Sequence, residues 1–522
     1  MFVEAHELLD NTGSAAWDIV VVGAGIAGLS VAQGLSNGRL RVLVLESGGF
    51  DRRDDAAELL SGASNREDYP LIGSRARVFG GTSTLWSGAC IPLDAADFQK
   101  RAWVPLSGWP ISADELQPYY APAARVFGHA GWTGDAPRLS ASPLNQGGLH
   151  ARPVFTSAPL NVGERQRERI ARSDRMACCL GANVTGLDVD ETGRNVRGVV
   201  FHDRMGRQHT VAAQAVVLAT GGIEAPRLLL AVDRAAPGGL GNVRRFTGRC
   251  YMDHPLLSVG ILPIGSQWRA FLPYTNGWTE RDVRTVGTIG LCAETRQKHG
   301  LLDLHLRSYR YSHLEDRADI IAWKEAASEA GALRGLGPVL RGHGMSSLPT
   351  VMSYASWHLW NKTIARSRFE HVRFLAFAEQ EPDPDNRITL GQKRDRYGLP
   401  LPHLHLTESA QFHDSVSRSC AVLAGVFAAS GFPGARMGPE QVRHIAHYGG
   451  HGLHHMGATR MSEDAGTGTV DRNCRVHGTA NLFVAGSSVF PTGGAANPTL
   501  AISALAFRLA DHLELQLRSV TA

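Results

Sequence analysis

The most constraining feature of the sequence is one stretch near the N-terminus, WDIVVVGAGIAGLSVAQGLSNGRLRVLVLESGG, at residues 17–49. A β-branched run ends at Val22 and meets three glycines spaced G-x-G-x-x-G, at Gly23, Gly25 and Gly28. A segment of small and apolar residues follows and leads into a second apolar run, RVLVLE. This order predicts a strand, a tight turn, a helix and a second strand, as in the repeating unit of parallel sheets.

Each glycine has a separate role in such a unit. Gly23 permits the tight turn, Gly25 lets a pyrophosphate approach the backbone, and Gly28 lets the helix pack on the strand. The helix N-terminus offers unpaired N–H groups to the phosphate charge. Glu46, 18 residues beyond Gly28, can accept hydrogen bonds from an adenosine ribose. This context predicts a dinucleotide site rather than an ordinary tight βα turn, and the motif alone leaves FAD and NAD undecided.

A second glycine-rich segment, SRARVFGGTSTLWSGACIP at residues 74–92, combines small polar residues with Leu85 and Trp86. Gly80 and Gly81 permit a close approach, and the amides and hydroxyls around them can line a flat polar cofactor. The competing interpretation of this composition is a solvent-exposed loop.

A third segment, AQAVVLATGGIEAPRLLL at residues 213–230, predicts a buried strand, a Thr-Gly-Gly turn and a helix opened by Glu224 and Pro226. Residues 181–211 alternate apolar and polar side chains around Gly and Asn, which predicts a β-meander. Within that meander, Val184 could present its backbone to an adenine. The strand and helix predicted in residues 213–230 therefore form a second edge of the nucleotide site.

Length and charge narrow the class of protein. A chain of 522 residues is too long for one ordinary core, so we expect at least two domains. Its 43% hydrophobic and 20% charged residues are typical of a globular enzyme. The net charge of +4 is spread without a basic block, which argues against nucleic acid as a partner and favours a small-molecule substrate.

Cysteine usage and the N-terminus bear on the compartment. The seven cysteines show no CxxC spacing, which argues against a disulfide framework or a thiolate zinc site. The start, MFVEAHELLDNTGSAAW, is acidic and lacks the basic and apolar regions of a signal peptide. The sequence contains no uninterrupted apolar run of about 18 residues. We therefore expect no integral membrane segment and a cytoplasmic location.

Four histidines, His447, His451, His454 and His455, lie within nine residues, and the last two open the segment HHMGATRM at residues 454–461. Imidazole readily transfers protons near neutral pH, so the cluster predicts a catalytic base. His447 and His451 either line the pocket or are polar loop residues, and His455 is expected to orient the loop. The cluster lacks an HExxH pattern and a companion carboxylate at metal-binding spacing, so we expect no metal site.

The last helix is predicted from GGAANPTLAISALAFRLADHL. Apolar residues recur at helical spacing from residue 500 to residue 509, and Asn497 precedes Pro498. This predicts Asn497 as the N-cap with Pro498 at the first helical position. The partial positive charge of the helix N-terminus would favour an anion placed against it. Alternatively, Asn497 serves only as a helix cap.

Four blocks in chain order resemble the glucose–methanol–choline (GMC) oxidoreductase family: VVGAGIAGLSVA, RARVFGGTST, ATGGIEAPRLLL, and HHMGATRM with NLFVAGSSVFPTGGAANPTLAISALAFRLADHL. The resemblance implies an FAD enzyme that oxidises an alcohol by hydride transfer to flavin N5. It implies an α/β fold whose discontinuous Rossmann-like FAD-binding domain comprises residues 15–255 and 446–522, with possible substrate-domain excursions near 90–150. A sheet-and-helix (α+β) substrate-binding domain would then take residues 256–445.

The resemblance also implies roles for single residues. In the family's H-x-x-G pattern the histidine three residues before the glycine acts as the base, so Gly457 points to His454, and the second catalytic group maps onto Asn497. The residues expected to contact the substrate are His447, His451 and His455. The residues expected to bind the cofactor are Gly23, Gly25, Ile26, Ala27, Gly28, Glu46, Ser47, Arg77, Gly80, Gly81, Thr82, Ser87, Val184, Ala219, Thr220, Gly221, Gly486, Asn497, Pro498 and Thr499.

Within the family, H-x-M-G and ANPTL are most similar to the pyranose oxidases, glycoside oxidases and gluconate-type sugar dehydrogenases, which implies a carbohydrate-like alcohol as substrate. Leu85 stands where covalent-flavin pyranose oxidases carry a histidine, so the resemblance implies noncovalent FAD. Trp86 and Gly486 replace an asparagine and an aspartate of other members, which also favours the sugar-oxidising branch. The electron acceptor stays open among oxygen, a quinone and another carrier. Alternatives are an FAD-containing lyase without net redox chemistry, oxidation of a non-sugar alcohol, and a redox-silent subunit.

Overall fold

The computed structural model describes residues 1–8, 17–156, 161–235, 240, 246–331, 335–363, 369–441 and 450–521. The β-strands, numbered along the chain, are β1 (Phe2–Glu4), β2 (Trp17–Val22), β3 (Val42–Glu46), β4 (Ala63–Ser64), β5 (Ala89–Cys90), β6 (Leu149–Thr156), β7 (Met176–Leu180), β8 (Asn183–Val189), β9 (Val196–His202), β10 (Gln208–Leu218), β11 (Leu256–Pro263), β12 (Trp278–Glu280), β13 (Val283–Leu291), β14 (Leu304–Tyr311), β15 (His371–Ala378), β16 (Arg387–Arg394), β17 (Pro400–His405), β18 (Arg436–Gln441) and β19 (Leu482–Val484).

The α-helices, numbered in the same way, are α1 (Ile26–Leu35), α2 (Asp54–Glu58), α3 (Ala113–Val126), α4 (Pro137–Ser140), α5 (Val162–Arg172), α6 (Gly221–Ala235), α7 (Leu272–Thr275), α8 (Ala293–His299), α9 (Ala318–Ala330), α10 (Leu336–His343), α11 (Leu348–Thr363), α12 (Ala410–Ala429) and α13 (Thr499–Thr521). Short 3-10 helices lie at Ala5–Glu7, Gly81–Thr84, Ala95–Phe98, Gly265–Phe271, His313–Asp316, Met345–Ser347 and Ser487–Val489.

The first sheet confirms the strand–helix–strand unit predicted from the N-terminal glycines. Its order is β1-β7-β3-β2-β10-β9-β8, with β19 also paired to β10. β2 pairs in parallel with both β3 and β10, and β3 is buried throughout, as expected for a central parallel strand covered on both faces. β8, β9 and β10 form the predicted antiparallel meander.

Helix α6 follows β10 as predicted, but it begins earlier than the sequence suggests. The proline and the acid at residues 224–226 predict a helix start there, whereas the helix begins at Gly221. Gly221 adopts a φ of +83°, so the chain turns directly from the strand into the helix. Pro226 therefore stands inside α6 rather than at its first position.

Helices α1 and α13 pack closely and direct their N-terminal ends toward one region. Small side chains permit the approach, because a Cβ added to Gly34 would lie 2.6 Å from the Cβ of Ala510. The hydroxyls of Ser30 and Ser503 lie 2.8 Å apart between the helices. Two helix N-termini, with their unpaired N–H groups, therefore meet at the cavity described below.

The second sheet is antiparallel, in the order β18-β11-β15-β14-β13-β6-β5, with β12 paired to β13. Helix α12 covers one face, where Phe427 stacks on Phe374 with ring centroids 5.3 Å apart. The opposite face contributes side chains of β11, β14 and β15 to the cavity. β5 and β6 belong to this sheet although they precede residue 256, and the domain limits given above stay a prediction.

A third, small sheet has the order β16-β17-β4. The alternating segment LLDLHLRSYRY contains β14, and the segment from residue 316 onward contains α9. Among the described residues, none of the helices has the length and apolar character needed to cross a bilayer. The architecture is mixed α/β, with a Rossmann-type parallel sheet beside an antiparallel one.

Candidate active site

A cavity of about 710 Å³ lies between the two sheets. The first sheet contributes the turns that follow β2 and β10 and the end of β3, which is the carboxyl edge where α/β proteins bind ligands. The second sheet contributes a wall that includes Arg307 and Phe377. The first turns of α1 and α13 and the loop at residues 452–455 complete the lining.

Glycines form a backbone cradle at one end of the cavity. A Cβ on Gly81 would lie 2.8 Å from the Cα of Gly25, so the two backbones touch where side chains cannot fit. Gly23 has a φ of +103°, and a Cβ there would lie 2.7 Å from the carbonyl oxygen of Ala219. These contacts leave the amides at the start of α1 open to the cavity, as a pyrophosphate requires.

A cluster of ion pairs borders the cradle. Arg75, Arg77 and Arg227 contact Glu224 at 2.5, 3.1 and 2.9 Å. Arg227 also contacts Asp395 at 2.8 Å. Burial opposes ionisation of Glu224, yet the three guanidinium groups lower its pKa to about 2. Three cations therefore face two carboxylates, and the excess positive charge favours an anionic group at this end of the cavity.

Glu46 lines the same end in a buried position. Its Oε2 accepts the N–H of Ala24 and its Oε1 accepts the N–H of Gly48, both at 2.8 Å. Burial raises the pKa of Glu46, and these backbone hydrogen bonds oppose that rise. Each carboxylate oxygen keeps a second lone pair, so the ribose contact stays a prediction that the geometry can accommodate.

Two histidines from distant parts of the chain meet at the other end. The Nδ1 atoms of His254 and His454 lie 2.8 Å apart, although the residues are separated by 200 positions. The Nε2 of His254 lies 2.8 Å from the carbonyl oxygen of Gly494. The amide Nδ2 of Asn497 lies 3.3 Å from the Nε2 of His454. The two predicted catalytic residues are therefore neighbours, and His254 is a third member of the array.

The hydrogen-bond pattern assigns the proton on each ring. The Gly494 carbonyl can only accept, so Nε2 of His254 carries a hydrogen. Burial lowers the pKa of His254, so the ring is neutral and its Nδ1 is an acceptor. His454 then donates from Nδ1, which leaves the lone pair on its Nε2. Burial, together with the His254 ring, also holds the pKa of His454 well below the ordinary histidine value.

Asp253 fixes the backbone of both histidines. Its Oδ1 accepts the N–H groups of His254 and His454, each at 2.7 Å. Its Oδ2 accepts the hydroxyl of Tyr69 at 3.0 Å. One carboxylate therefore sets the position of two imidazoles, while the ring-to-ring hydrogen bond sets their orientation.

Phe377 supports the His454 ring from the second sheet. The two rings are nearly parallel, with an interplanar angle of 18° and centroids 6.2 Å apart. His305 stacks on Phe377 at 5.0 Å, and the guanidinium of Arg307 lies 5.5 Å from the same ring centre. Burial holds the pKa of His305 well below the ordinary value, so this ring is also neutral.

Two buried polar atoms beside the cavity fit a large polar cofactor. Thr220 Oγ1 and Asn497 Oδ1 have no hydrogen-bond partner among the described residues. Gly486 has a φ of +141°, and nothing lies within 4 Å of the point where its Cβ would stand. Unpaired buried oxygen atoms are costly, and a ligand that donates to them would offset that cost.

Most residues predicted to bind the cofactor are at the cavity. Those that line it are Gly23, Gly25, Ile26, Ala27, Glu46, Ser47, Arg77, Gly81, Thr82, Ser87, Val184, Ala219, Thr220, Gly221, Gly486, Asn497, Pro498 and Thr499. Gly28 and Gly80 are outside this lining. A Cβ on Gly28 would lie 2.0 Å from the Gly23 carbonyl oxygen, and one on Gly80 would lie 2.1 Å from Asn161 Oδ1, so both act through packing.

The four clustered histidines are separated by the structure. His454 and His455 line the cavity. His451 turns away and contacts Asp68 at 3.3 Å. His447 lies outside the described residues. Burial lowers the pKa of His455 to about 4, so this neighbour of the base is a neutral ring.

The prediction that Asn497 caps the last helix is wrong. α13 begins at Thr499, and the N–H of Ile502 donates to the carbonyl of Pro498 at 2.8 Å. The first helical hydrogen bond is thus accepted one residue later than predicted. The Asn497 side chain instead turns toward His454, because the chain enters the helix through Pro498.

His254 is a site residue that the sequence does not reveal. Antiparallel bridges join Met252 to Met456 and Pro255 to His451, and they place His254 beside the histidine loop. The segment GRCYMDHP resembles a family block, but this gives no indication of a contact 200 positions away.

Arg307 and His305 were missed as well, although the alternation of LHLRSYRY carries a usable signal. Residues 305, 307 and 309 occupy one face of β14, so a strand that alternates apolar residues with His, Arg and Tyr could have been assigned a polar face toward the pocket.

Two family models match separate parts of the chain. A family model described as GMC oxidoreductase matches residues 382–506, and one described as FAD dependent oxidoreductase matches residues 18–241. The fructose dehydrogenase large subunit of Gluconobacter japonicus is 24% identical over 95% of this chain and 97% of its own length. A 2-methyl-1,2-propanediol dehydrogenase of Mycolicibacterium austroafricanum is 23% identical over 96% of each chain.

Solved structures agree on the fold. Pyridoxine 4-oxidase from Mesorbium loti superposes with a TM-score of 0.55 at 17% identity, over 95% of this chain and 99% of that one. The two family matches contain the glycine cradle on one side, and His454 and Asn497 on the other. The chain therefore carries a GMC oxidoreductase domain at residues 382–506 and an FAD dependent oxidoreductase domain at residues 18–241, and it is an FAD-dependent oxidoreductase that acts on alcohols.

Proposed function

We propose that this enzyme oxidises a CH–OH group of a sugar, glycoside or related polyol to a carbonyl, with His454 as the general base. The observation that carries the proposal is the neutral His454 ring at the cavity, whose proton is fixed on Nδ1 by His254 and whose Nε2 accepts a long hydrogen bond, 3.3 Å, from Asn497. A substrate hydroxyl that replaces this contact would meet the Nε2 lone pair, as a general base requires.

His454 and Asn497 have separate roles in the proposed reaction. Nε2 of His454 accepts the hydroxyl proton as the C–H bond breaks. Asn497 donates a hydrogen bond from Nδ2 to the developing alkoxide oxygen, from a position 3.3 Å from the base. FAD, when bound, supplies the chemistry of accepting the hydride at N5. His254 and Asp253 are positioning residues, since they act through His454.

The cofactor residues predicted from the sequence would hold FAD by the glycine cradle and the two helix N-termini. We propose that the binding is noncovalent, because Leu85, which lines the cavity, offers no nucleophile. Acid precipitation of the FAD-loaded protein tests this: all of the yellow colour should stay in the supernatant. Flavin retained in the pellet would contradict it.

A carbohydrate-like substrate is supported by the fructose dehydrogenase likeness over nearly the whole chain. A non-sugar alcohol is the second candidate, and the likeness to a 2-methyl-1,2-propanediol dehydrogenase favours it. The electron acceptor, whether oxygen, a quinone or another carrier, can be identified by repeating turnover in air and with a quinone.

We further propose that residues 15–255 and 446–522 bind FAD and that residues 256–445 shape the substrate side. The contribution of β11, β14 and β15 to the cavity wall supports this division, while β5 and β6 are excursions of the first part into the second sheet. Seven unpaired cysteines support a reducing compartment such as the cytoplasm.

Anaerobic mixing of the FAD-loaded enzyme with sugars, glycosides, cyclitols and simple alcohols tests the reaction. We expect a polyol to bleach the flavin, whereas a lyase would leave it yellow. His454→Ala should slow bleaching by about 10²- to 10⁴-fold. His451→Ala is the matched control, since this histidine of the same loop turns away from the cavity. If FAD-loaded His454→Ala is reduced at the wild-type rate, His454 is not the base.

A further inference from the structure

In the cavity wall formed by β14 and β15, the side chains are arranged in rows, each row being one cross-strand pair of residues. His305 pairs with Phe377, and Arg307 pairs with Leu375. Phe377 lies against the ring of His454, so the first row is beside the base. Arg307 lies two residues further along β14, and two residues of an extended strand span about 7 Å. The backbone of Arg307 therefore belongs to the next row, and its guanidinium reaches back over the Phe377 ring, 5.5 Å from the ring centre.

Arg307 carries a charge that the protein does not balance. Its side chain is partly exposed, lines the cavity and contacts the Phe377 ring at 5.5 Å. Among the described residues it makes no ion pair or hydrogen bond. By contrast, Arg75 and Arg77, which also line the cavity, both pair with Glu224.

The carboxylates that line the cavity do not pair with Arg307 among the described residues. The acidic side chains among its described lining residues are Glu46 and Glu224, both at the glycine end. Each is already engaged, Glu46 by backbone amides and Glu224 by three arginines. Asp253, behind the histidines, lies outside the lining and accepts hydrogen bonds from His254, His454 and Tyr69. At the substrate end, the part of the cavity beside His454, the described lining therefore presents the charge of Arg307 over an apolar floor of Leu375 and Phe377.

We propose that Arg307 binds an anionic group of the substrate, so that the preferred alcohols are acidic polyols that carry a carboxylate or a phosphate. The inference rests on the proposed function and narrows its substrate class. The guanidinium lies 5.5 Å from the centre of the Phe377 ring, and that centre lies 6.2 Å from the centre of the His454 ring, which suits an acid separated from the reacting CH–OH by several bonds. The planar guanidinium can hold either oxyanion with two parallel hydrogen bonds.

The geometry also predicts whether the preference for acids appears in KM or in kcat. Among the described residues Arg307 makes no hydrogen bond to His454 and acts on it through charge, as one of the cations that lower its pKa. At pH 7.5 burial keeps the His454 ring neutral with or without Arg307, so the loss of Arg307 should raise KM for an acid and leave kcat nearly unchanged. A hydrogen bond to a charged group supports a change of about 10- to 100-fold in KM. For a neutral polyol of the same size, neither constant should change by more than about 2- to 3-fold.

The experiment compares matched substrates on the FAD-loaded enzyme: glucose against gluconate, glucuronate and glucose 6-phosphate, followed by anaerobic flavin bleaching. In the wild type we expect at least one acid to have a higher kcat/KM than glucose. Comparing gluconate and glucuronate with glucose 6-phosphate then shows whether the site prefers a carboxylate or a phosphate. Arg307→Gln should abolish the preference and Arg307→Lys should keep part of it. Arg310→Gln is the control, because this arginine of the same strand faces the other way, over Phe369.

Equal kcat/KM for the neutral and acidic substrates in the wild type, or an acid preference that survives Arg307→Gln, would overturn the proposal while the alcohol oxidation stands. If none of the substrates bleaches the flavin, the oxidation of sugars itself fails. Equilibrium titration of the bound-flavin spectrum with gluconate and with glucose 6-phosphate then tests Arg307 alone. Tighter binding by the wild type than by Arg307→Gln supports the anion site, and equal binding refutes it.

Discussion

Replacing His254 by leucine tests how the enzyme sets the protonation of its base. In the wild type, the Nδ1–H of His454 donates to His254 at 2.8 Å, and the lone pair is therefore on Nε2. In His254→Leu this donor has no partner. An unpaired buried donor costs about 1–3 kcal/mol. The ring can avoid the cost by moving its proton to Nε2, where the unpartnered Oδ1 of Asn497 becomes an acceptor after an amide rotation.

The tautomer with the proton on Nε2 cannot accept a proton from the substrate. If the alternative tautomer gains about 1–3 kcal/mol, the population of active enzyme, and with it the rate of flavin reduction, should fall by roughly 5- to 150-fold. KM and FAD content should change little, because His254 does not line the cavity. This split between kcat and KM distinguishes a positioning residue from one that binds substrate.

His254→Asn is the matched variant. Its side-chain oxygen lies as many bonds from the backbone as the Nδ1 of histidine, so it can accept the same hydrogen bond, although it loses the contact with Gly494. We expect His254→Asn to recover most of the rate that His254→Leu loses. Anaerobic stopped-flow reduction at saturating polyol, from pH 5 to pH 9, measures both, with the FAD-to-protein ratio and the urea unfolding midpoint as controls.

Two results would refute the reasoning. A folded, FAD-loaded His254→Leu that is reduced at the wild-type rate would show that His454 keeps its active tautomer without His254. A His254→Asn variant as slow as His254→Leu would show that the acceptor atom is irrelevant and that the volume of the ring matters instead.

Three further outcomes follow from the same geometry. Because burial holds the pKa of His454 well below the ordinary value, kcat/KM for flavin reduction should stay flat as pH falls through 6.5 and decline only in more acidic buffer, and a decline centred at or above 6.5 would contradict this. Gly81→Ala should lose FAD binding, measured by equilibrium dialysis, because its Cβ would lie 2.8 Å from the Cα of Gly25; Gly398→Ala, at a φ of +83° with open space around it, controls for backbone strain. His455, with a pKa of about 4 when folded and about 6.5 when unfolded, should contribute stability that is present above pH 6.5 and lost as pH falls toward 4, by up to about 3 kcal/mol. Between pH 7.5 and pH 4.5, the free energy of unfolding measured with urea should fall less for His455→Phe than for the wild type. An equal fall would contradict a buried neutral ring at His455.

The elements that surround the glycine cradle could be predicted from the sequence because their signals are local. The G-x-G-x-x-G spacing after Val22 requires particular backbone angles within a few residues, and Gly23 adopts the positive φ that its turn needs. The alternation before residue 211 likewise determines which side chains share a face, and the meander of β8 to β10 follows. In these regions the sequence pattern predicts the structure because both depend on residues that are only a few positions apart.

The catalytic array could be predicted only in part, because its contacts are long-range. His454 and Asn497 were accessible through the family motif, but the contact with His254 depends on an antiparallel pairing of two loops that carry no periodic pattern. The cap prediction for Asn497 failed for a related reason. A sequence shows that an asparagine can cap a helix, but it does not show that His454 lies within 3.3 Å of the same side chain.

The structure separates the base from the residues that could choose the substrate. His454 is held through its backbone by Asp253 and through its ring by His254, and both belong to the segment just before β11. Arg307 lies on β14, a different strand, in the row beyond the one that supports the base. A substitution at Arg307 can therefore alter the charge at this end of the cavity without removing either hydrogen bond that Asp253 and His254 make to His454, although it removes a contact with Phe377. Substrate preference could then diverge among relatives of this fold while the proton-accepting array stays the same, because the two sets of residues share no hydrogen bond.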